Sequence, residues 1–195
     1  MRTITALRGA GPNGVAVELD GAHWRVLPTE AVVKAGLCVG LGLDRSALRT
    51  VRRELRRSEA LAAATRALAV REHSTHALTE KLERRGIAPS TRVDAVETLR
   101  RSGLLDDTRA ATSRARSLAE RGYGDAAIAA DLDRRGVDAE LAADALAALE
   151  PESARAAAIA AKRGRGPKTA RFLASRGFGE DAVEGARDVD FANDP

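Results

Sequence analysis

A six-residue pattern, Leu, any residue, Arg or Ser, Arg, Gly, apolar, occurs three times in this chain, at 82–87, 132–137 and 173–178. In each copy the glycine (Gly86, Gly136, Gly177) stands where a helix ends in a left-handed residue. The apolar residue after it (Ile87, Val137, Phe178) can then fold back on the Leu five positions earlier. This is the Schellman ending with its hydrophobic clasp, which glycine adopts without the penalty a Cβ would bring. Three copies spaced 50 and then 41 residues apart predict a chain built from repeated helical units.

The residues between the clasps support that reading. Residues 3–8, 14–20 and 22–27 alternate as short strands, Val15, Val17 and Leu19 followed by Trp24 and Val26, with Asp20-Gly21 as a two-residue hairpin turn. Pro28-Thr29 then opens a short helix, Glu30 to Lys34, closed by Gly36, and Gly40 and Gly42 mark a loop. From Asp44 the period becomes helical, with Leu48, Val51 and Leu55 on one face. Asp44 or Ser46 can cap this helix, and either Ser58 starts a second one or the two run on without a break. The expected architecture is mainly α: tandem three-helix repeats in an elongated array, preceded by a small N-terminal β-rich module. Its segments are 1–43 (β-rich module), 44–73 (basic linking helix or helices), 74–122 and 123–164 (three-helix repeats), 165–189 (a truncated third repeat) and 190–195 (a frayed tail). Within them Val93, Val96 and Leu99 recur at spacing three, and Ile128 and Leu132, then Leu141, Ala145 and Leu149, at spacing four.

Composition narrows the class. Hydrophobic residues make up 44% of the chain, much of it Ala, with only five aromatics, which suits shallow helix-on-helix layers. No apolar run reaches the length of a membrane span, the N-terminus lacks the apolar core of a signal peptide, and a lone cysteine gives no disulfide framework; a cytoplasmic protein is expected. The net charge of +4 is unevenly placed: zero over 1–44, +8 over 45–122 and −4 over 123–195. A basic middle of that kind suits a polyanion or an acidic protein surface.

Catalytic and metal chemistry find little footing. His73 and His76 lie three apart, but no Cys, Asp or Glu pattern completes a metal site, and they read as a solvated helix start. Cys38 reads as a buried small residue. Gly164-Arg165-Gly166-Pro167-Lys168-Thr169 resembles a phosphate loop only faintly, since Pro167 replaces the needed glycine and no strand precedes it; it reads as a cationic turn able to hold an anion weakly. Asp106 and Asp107 read as helix caps. No cofactor, metal or catalytic set is expected, and the protein is expected not to be an enzyme.

The candidate binding residues are therefore cationic. Arg49, Arg52, Arg53, Arg56 and Arg57 share the outer face of one helix, where like charges repel unless an anion lies opposite. Arg84, Arg85, Arg134 and Arg135 recur at the clasps, where they also stabilise helix C-termini, and Arg163, Arg165 and Lys168 extend the series.

Two stretches carry a family resemblance: Gly103-Leu104-Leu105-Asp106-Asp107 followed by Leu132-Asp133-Arg134-Arg135-Gly136-Val137, and the ending Leu173-Ala174-Ser175-Arg176-Gly177-Phe178. On these the chain resembles RecX, the bacterial regulator of the RecA recombinase, over most of its length. The resemblance implies three-helix units that bind RecA filaments on DNA, hinder their growth and suppress ATP hydrolysis and strand exchange, in DNA repair, recombination and the SOS response. It implies the RecA filament as protein partner, weak non-specific contact with single- or double-stranded DNA, and a monomer. The chain departs from the family in carrying Ala110 and Arg114 where aromatics are usual, and Gly122-Tyr123-Gly124-Asp125 where Gly-x-Gly-Pro is frequent. Those departures predict a looser core or an altered contact there. The rival class is a stand-alone helix-turn-helix DNA regulator, but 90–102 and 138–149 carry few of the Gln, Asn, Ser and Thr that read base edges.

Overall fold

The computed structural model describes residues 1–187. The expected tail at 190–195 lies outside them, as do the last two residues of 165–189. The fold is mainly helical with a small N-terminal antiparallel sheet, and it divides into two compact units, 1–67 with 79–101, and 68–78 with 102–187.

In the first unit, strands β1 (Arg2–Gly9), β2 (Gly14–Leu19), β3 (Ala22–Pro28) and β4 (Gly42–Leu43) form one antiparallel sheet in the order β3-β2-β1-β4. Asp20 and Gly21 both take positive φ, 51° and 82°, as a primed hairpin turn demands. The Asp20 carboxylate accepts from the Thr3 amide at 2.9 Å and fixes that turn to β1. The expected alternation slips in β3: register shifts after Val17, Trp24 is left without a partner, and Leu27 rather than Val26 enters the core. Residues 42–43, expected as loop, pair with Arg2 and Thr3 as the short edge strand.

Helix α1 (Thr29–Lys34) ends as the sequence predicts, with Leu37 N–H donating back to Val32 O at 3.0 Å and Gly36 at φ 63°. Helix α2 (Arg45–Leu68) is a single helix of 24 residues, so Ser58 caps nothing. Its start is capped by Asp44, whose Oδ1 accepts from Ala47 N at 2.7 Å. Val51, with Leu48 and Leu55, packs on the sheet core of Ile4, Val17, Leu19, Leu27 and Leu43. Helix α4 (Pro89–Arg101) buries Ala95, Val96 and Leu99, while Val93 is exposed. A spacing of three drifts off a 3.6-residue face within two turns, which is why Ala95 takes the inward place expected of Val93.

The second unit holds α5 (Asp107–Glu120), α6 (Asp125–Arg134), α7 (Ala139–Ala147), α8 (Glu152–Arg163), α9 (Pro167–Ser175) and α10 (Glu180–Gly185), preceded by the first turn of α3 (Thr75–Arg84). Helices α5, α6 and α7 share one core around Ala111, Ala115, Leu118, Ile128, Leu132 and Val137. Helices α8, α9 and α10 share another around Ala156, Ala160, Leu173, Phe178 and Ala182. The helices that pack together are thus one helix out of phase with the expected units 123–164 and 165–189. The clasp is the visible mark, but it ends the middle helix of each bundle; the opening helix packs through Ala and leaves little trace in the sequence. With α8 as its first helix, the last bundle is not truncated.

The clasps have the expected geometry. Ile87, Val137 and Phe178 donate to the carbonyls of Leu82, Leu132 and Leu173 at 3.1–3.2 Å, with glycine φ between 64° and 79°. A further copy closes α5: Tyr123 N–H donates to Leu118 O at 3.1 Å and Gly122 takes φ 77°.

Candidate functional site

Arg49, Arg52, Arg53, Arg56 and Arg57 of α2 line a groove of about 900 Å³ in the first unit, whose other wall is the start of α4 with Ala88, Ser90, Thr91 and Asp94. Amphipathicity places them there: Val51 and the buried Glu54 face inward, so Arg49, Arg52, Arg53 and Arg56 are left exposed and Arg57 half-buried. They are not equivalent. Arg53 Nε reaches Glu54 Oε1 at 3.0 Å, and Arg57 donates to Thr98 Oγ1 at 3.4 Å. Arg57 Nε is buried with no acceptor among the described residues, an unmet donor in the groove wall. Arg49, Arg52 and Arg56 have no carboxylate partner among the described residues. The first-turn amides of α4 add the positive end of a helix dipole to the same groove. What the groove can do is hold anions, and it brings all five expected residues together.

The clasp arginines behave otherwise. Arg84 pairs with Glu80 at 3.5 Å and Arg134 with Asp131 at 3.6 Å, both largely exposed. Arg135 is tied more firmly: Asp131 accepts from Arg135 Nε at 2.7 Å and, through both oxygens, from Arg114 at 2.7 and 3.0 Å. The Arg114 hydrogen bonds, then the one from Arg135, hold the Asp131 carboxyl far below the usual carboxylate range against a burial cost that acts the other way. Arg114, where the resemblance leads one to expect an aromatic, is thus the strut from α5 to α6. Beside it, the small side chain of Ala110 leaves a cleft of about 130 Å³ edged by His73, Ser74 and Ser113. A depressed carboxyl stabilises the fold above its unfolded pKa of about 3.9, and that stabilisation is lost as pH falls toward its folded value. Asp131→Asn is therefore expected to lose about 2 kcal/mol at pH 7, with two stranded guanidiniums. The gap from the parent protein in urea denaturation should narrow below about pH 4; an unchanged gap at pH 3 would show that the ion pairs carry no stability.

Several readings of single residues change. His73 is buried, not solvated, and His76 is exposed beside the Gly136 turn. Cys38 is exposed rather than buried, because the chain around it is the turn between α1 and β4. The 164–169 turn is closed on itself: Thr169 Oγ1 donates to Gly164 O at 2.6 Å, and Gly166 N–H donates to Ala186 O at 3.0 Å. Arg165 donates to Gly185 O at 2.9 Å, while Lys168 is exposed. The Gly166 amide is thus already bonded within the fold, which leaves the exposed Lys168 as the cation of this turn. Arg85 is exposed beside an open Gly86.

The acidic pair caps two different helices. Asp106 Oδ1 accepts from Arg109 N at 3.0 Å and caps its own helix α5. Asp107 instead accepts from Thr75 N and Oγ1 at 2.6 and 2.7 Å and so caps α3. Ser74, the residue before α3, donates to Arg135 O at 2.7 Å. The same two links recur one bundle later. Glu152, the first residue of α8, accepts from Asp125 N at 2.6 Å, and Gly124 N–H donates to Arg176 O at 2.9 Å. Each junction therefore joins a helix start to the following clasp through an acid borrowed from the following bundle.

Sequence reading missed Arg155. It is buried on α8 and donates to Glu150 O and Tyr123 O, both at 2.9 Å, and to Asp125, with its guanidinium 5.8 Å from the Phe178 ring centroid.

Among the described residues no group of His, Cys, Asp and Glu could hold a metal ion, and no helix is long and apolar enough to cross a membrane. The class defined by these features is a protein of small three-helix bundles with a small antiparallel sheet and a cationic groove between α2 and α4. Residues 106–146, which span α5 to α7, match the family model of the second three-helix domain of RecX. A crystal structure of regulatory protein RecX superposes with TM-score 0.78 at 19% identity, covering 94% of this chain and 98% of that one. RecX from Lactobacillus salivarius superposes with TM-score 0.56 at 20% identity, covering 67% of this chain and 94% of that one. No curated protein sequence matches. Residues 106–146 are thus similar to the second three-helix domain of RecX, and the chain as a whole has the fold of the solved RecX structures.

Proposed function

We propose that the protein is a non-enzymatic modulator of RecA that binds RecA–DNA filaments and limits their growth, ATPase and strand exchange. The RecX domain and fold support the partner, and the α2–α4 groove is the observation that carries the mode of binding. Uncompensated guanidiniums facing a helix start suit phosphates or an acidic RecA surface. On this reading the protein acts in the cytoplasm as a monomer, and its contact with DNA is weak and indifferent to sequence, as phosphate binding is. Arg84, Arg134 and Arg135 would add little, since each already holds a carboxylate, whereas the exposed Arg85 is available to an anion.

The test is RecA ATPase on single-stranded DNA, titrated with this protein over a range of salt. Replacing Arg49, Arg52 and Arg56 by Gln avoids the half-buried Arg57 and the Glu54 partner Arg53. The half-inhibitory concentration is expected to rise roughly tenfold, and the salt exponent to fall by about 2, at about 0.7 per lost single-strand phosphate contact. Undiminished inhibition with the parent's salt dependence would take the groove out of the mechanism.

A further inference from the structure

Five side chains of the second unit form an alternating series of guanidinium and ring. Arg121 lies 5.6 Å from the Tyr123 ring centroid, and Arg176 lies 4.7 Å from that same ring. Arg176 is also 5.1 Å from Phe172, over which Arg163 sits at 4.0 Å. The two rings and Arg176 are half-buried, whereas Arg121 and Arg163 are exposed. Packing accounts for the rings, since Tyr123 lies against the α5–α7 core and Phe172 against the α8–α10 core. It does not account for three like charges gathered along one strip. Among the described residues no carboxylate pairs with Arg121, Arg163 or Arg176, although Arg84, Arg134 and Arg135 all hold one.

Beside Tyr123 the strip opens on a recess of about 240 Å³. Leu118, Ala127 and Ala130 give it apolar walls, and Arg121 and Arg134 give it a cationic rim. Its one acid, Asp131, is already saturated by Arg114 and Arg135. A site below the ~300–1,000 Å³ of drug-sized pockets suits one planar group.

We propose that this ladder binds single-stranded nucleic acid, independently of the α2 groove, with which it shares no residue. Bases stack on the outward guanidinium planes and in the recess at Tyr123, and phosphates meet the unpaired donors. A duplex hides the base faces that rings and recess would use. An acidic peptide uses the charges and leaves the recess empty.

The experiment uses this protein alone, without RecA, so its failure leaves the RecA reading standing. It follows the fluorescence anisotropy of a labelled oligothymidine of about 20 nucleotides over a salt series, long enough to span the site sizes of such surfaces. All variants are built on Arg49→Gln/Arg52→Gln/Arg56→Gln, which silences the groove. Adding Arg121→Gln/Arg163→Gln is expected to weaken binding roughly tenfold and lower the salt exponent by about 1.4. Adding Tyr123→Leu is expected to weaken binding about fivefold with the exponent unchanged, and Tyr123→Phe to restore it, because stacking needs the ring and not the hydroxyl. An unaltered exponent in the arginine pair, or parent-like binding by a Tyr123→Leu protein that melts normally, overturns the proposal. Should Tyr123→Leu fail to fold, competition decides: polyglutamate displacing the oligonucleotide as well as unlabelled oligothymidine does would overturn it in favour of an acidic protein surface.

Discussion

Gly177→Ala is expected to destabilise the protein by about 3–4 kcal/mol, whereas Gly86→Ala costs only about 1 kcal/mol. The two glycines end equivalent clasps with similar φ, 79° and 73°, so the backbone strain of a Cβ is common to both. What differs is the space. A Cβ on Gly86 meets nothing within 4 Å, while one on Gly177 would sit 2.7 Å from both N and Cβ of Ala127. Those atoms belong to the first turn of α6, which the junction presses onto this clasp, and backbone cannot swing aside. Gly136 is intermediate, because its Cβ would lie 2.6 Å from the His76 side chain near its root. Its alanine variant is expected to cost about 2–3 kcal/mol. Gly124→Ala separates the two causes. Gly124 has an ordinary φ of −81°, so only the overlap with the Gly177 carbonyl remains. The double variant Gly124→Ala/Gly177→Ala should then cost less than the sum of its parts, since both prise apart one junction. Urea denaturation of the series checks this ordering; equal losses at Gly86 and Gly177 would mean that the junctions bear no load.

The clasps were legible because each combines a fixed glycine with an apolar residue five places from a Leu, and no tertiary contact is needed to read that. The copy at Leu118 to Tyr123 escaped notice because Glu120 stands where the others carry Arg or Ser. It also ends a different helix of its bundle, off the spacing of 50 and 41 residues. The phase of the bundles was hidden for a related reason. Alanine faces such as Ala111 and Ala115 bury well without marking a period strongly, so the motif rather than the packing set the expected boundaries. The acidic caps were half legible. Asp106 obeys the local rule, but Asp107 serves a helix 32 residues away, and sequence carries no sign of that. Of the candidate site, the α2 arginines were visible as a run on one face. The α4 wall opposite them and the burial of Arg57 Nε were not, because both arise from tertiary packing. The arginine–aromatic ladder is assembled from α8, α9 and the end of α5, so no window of the sequence contains it.

Arg155→Met is expected to cost about 3 kcal/mol, although Met fills nearly the same space and suits a helix equally well by propensity. In the sequence this residue is one more cation among alanines, indistinguishable from a solvated one. In the structure it is buried and donates in three directions, to the end of α7 through Glu150 O, to the α5 clasp through Tyr123 O and to the start of α6 through Asp125. Its removal leaves two part-buried carbonyls without that donor and a carboxylate without its charge partner, at up to about 1–3 kcal/mol for each group to the extent that it is buried. Asp125 remains 40% exposed, so water relieves part of its share and the total stays below the full sum. Arg155→Lys is expected to recover little, because a single ammonium on a flexible stem cannot reproduce a planar fork aimed at three acceptors. Adding Asp125→Asn to Arg155→Met should return the charge part of the loss and not the carbonyl part, so the two changes are coupled. Additive losses in that cycle would show Arg155 and Asp125 to be independent, and would leave the carbonyls of Glu150 and Tyr123 as the whole reason an arginine is buried there.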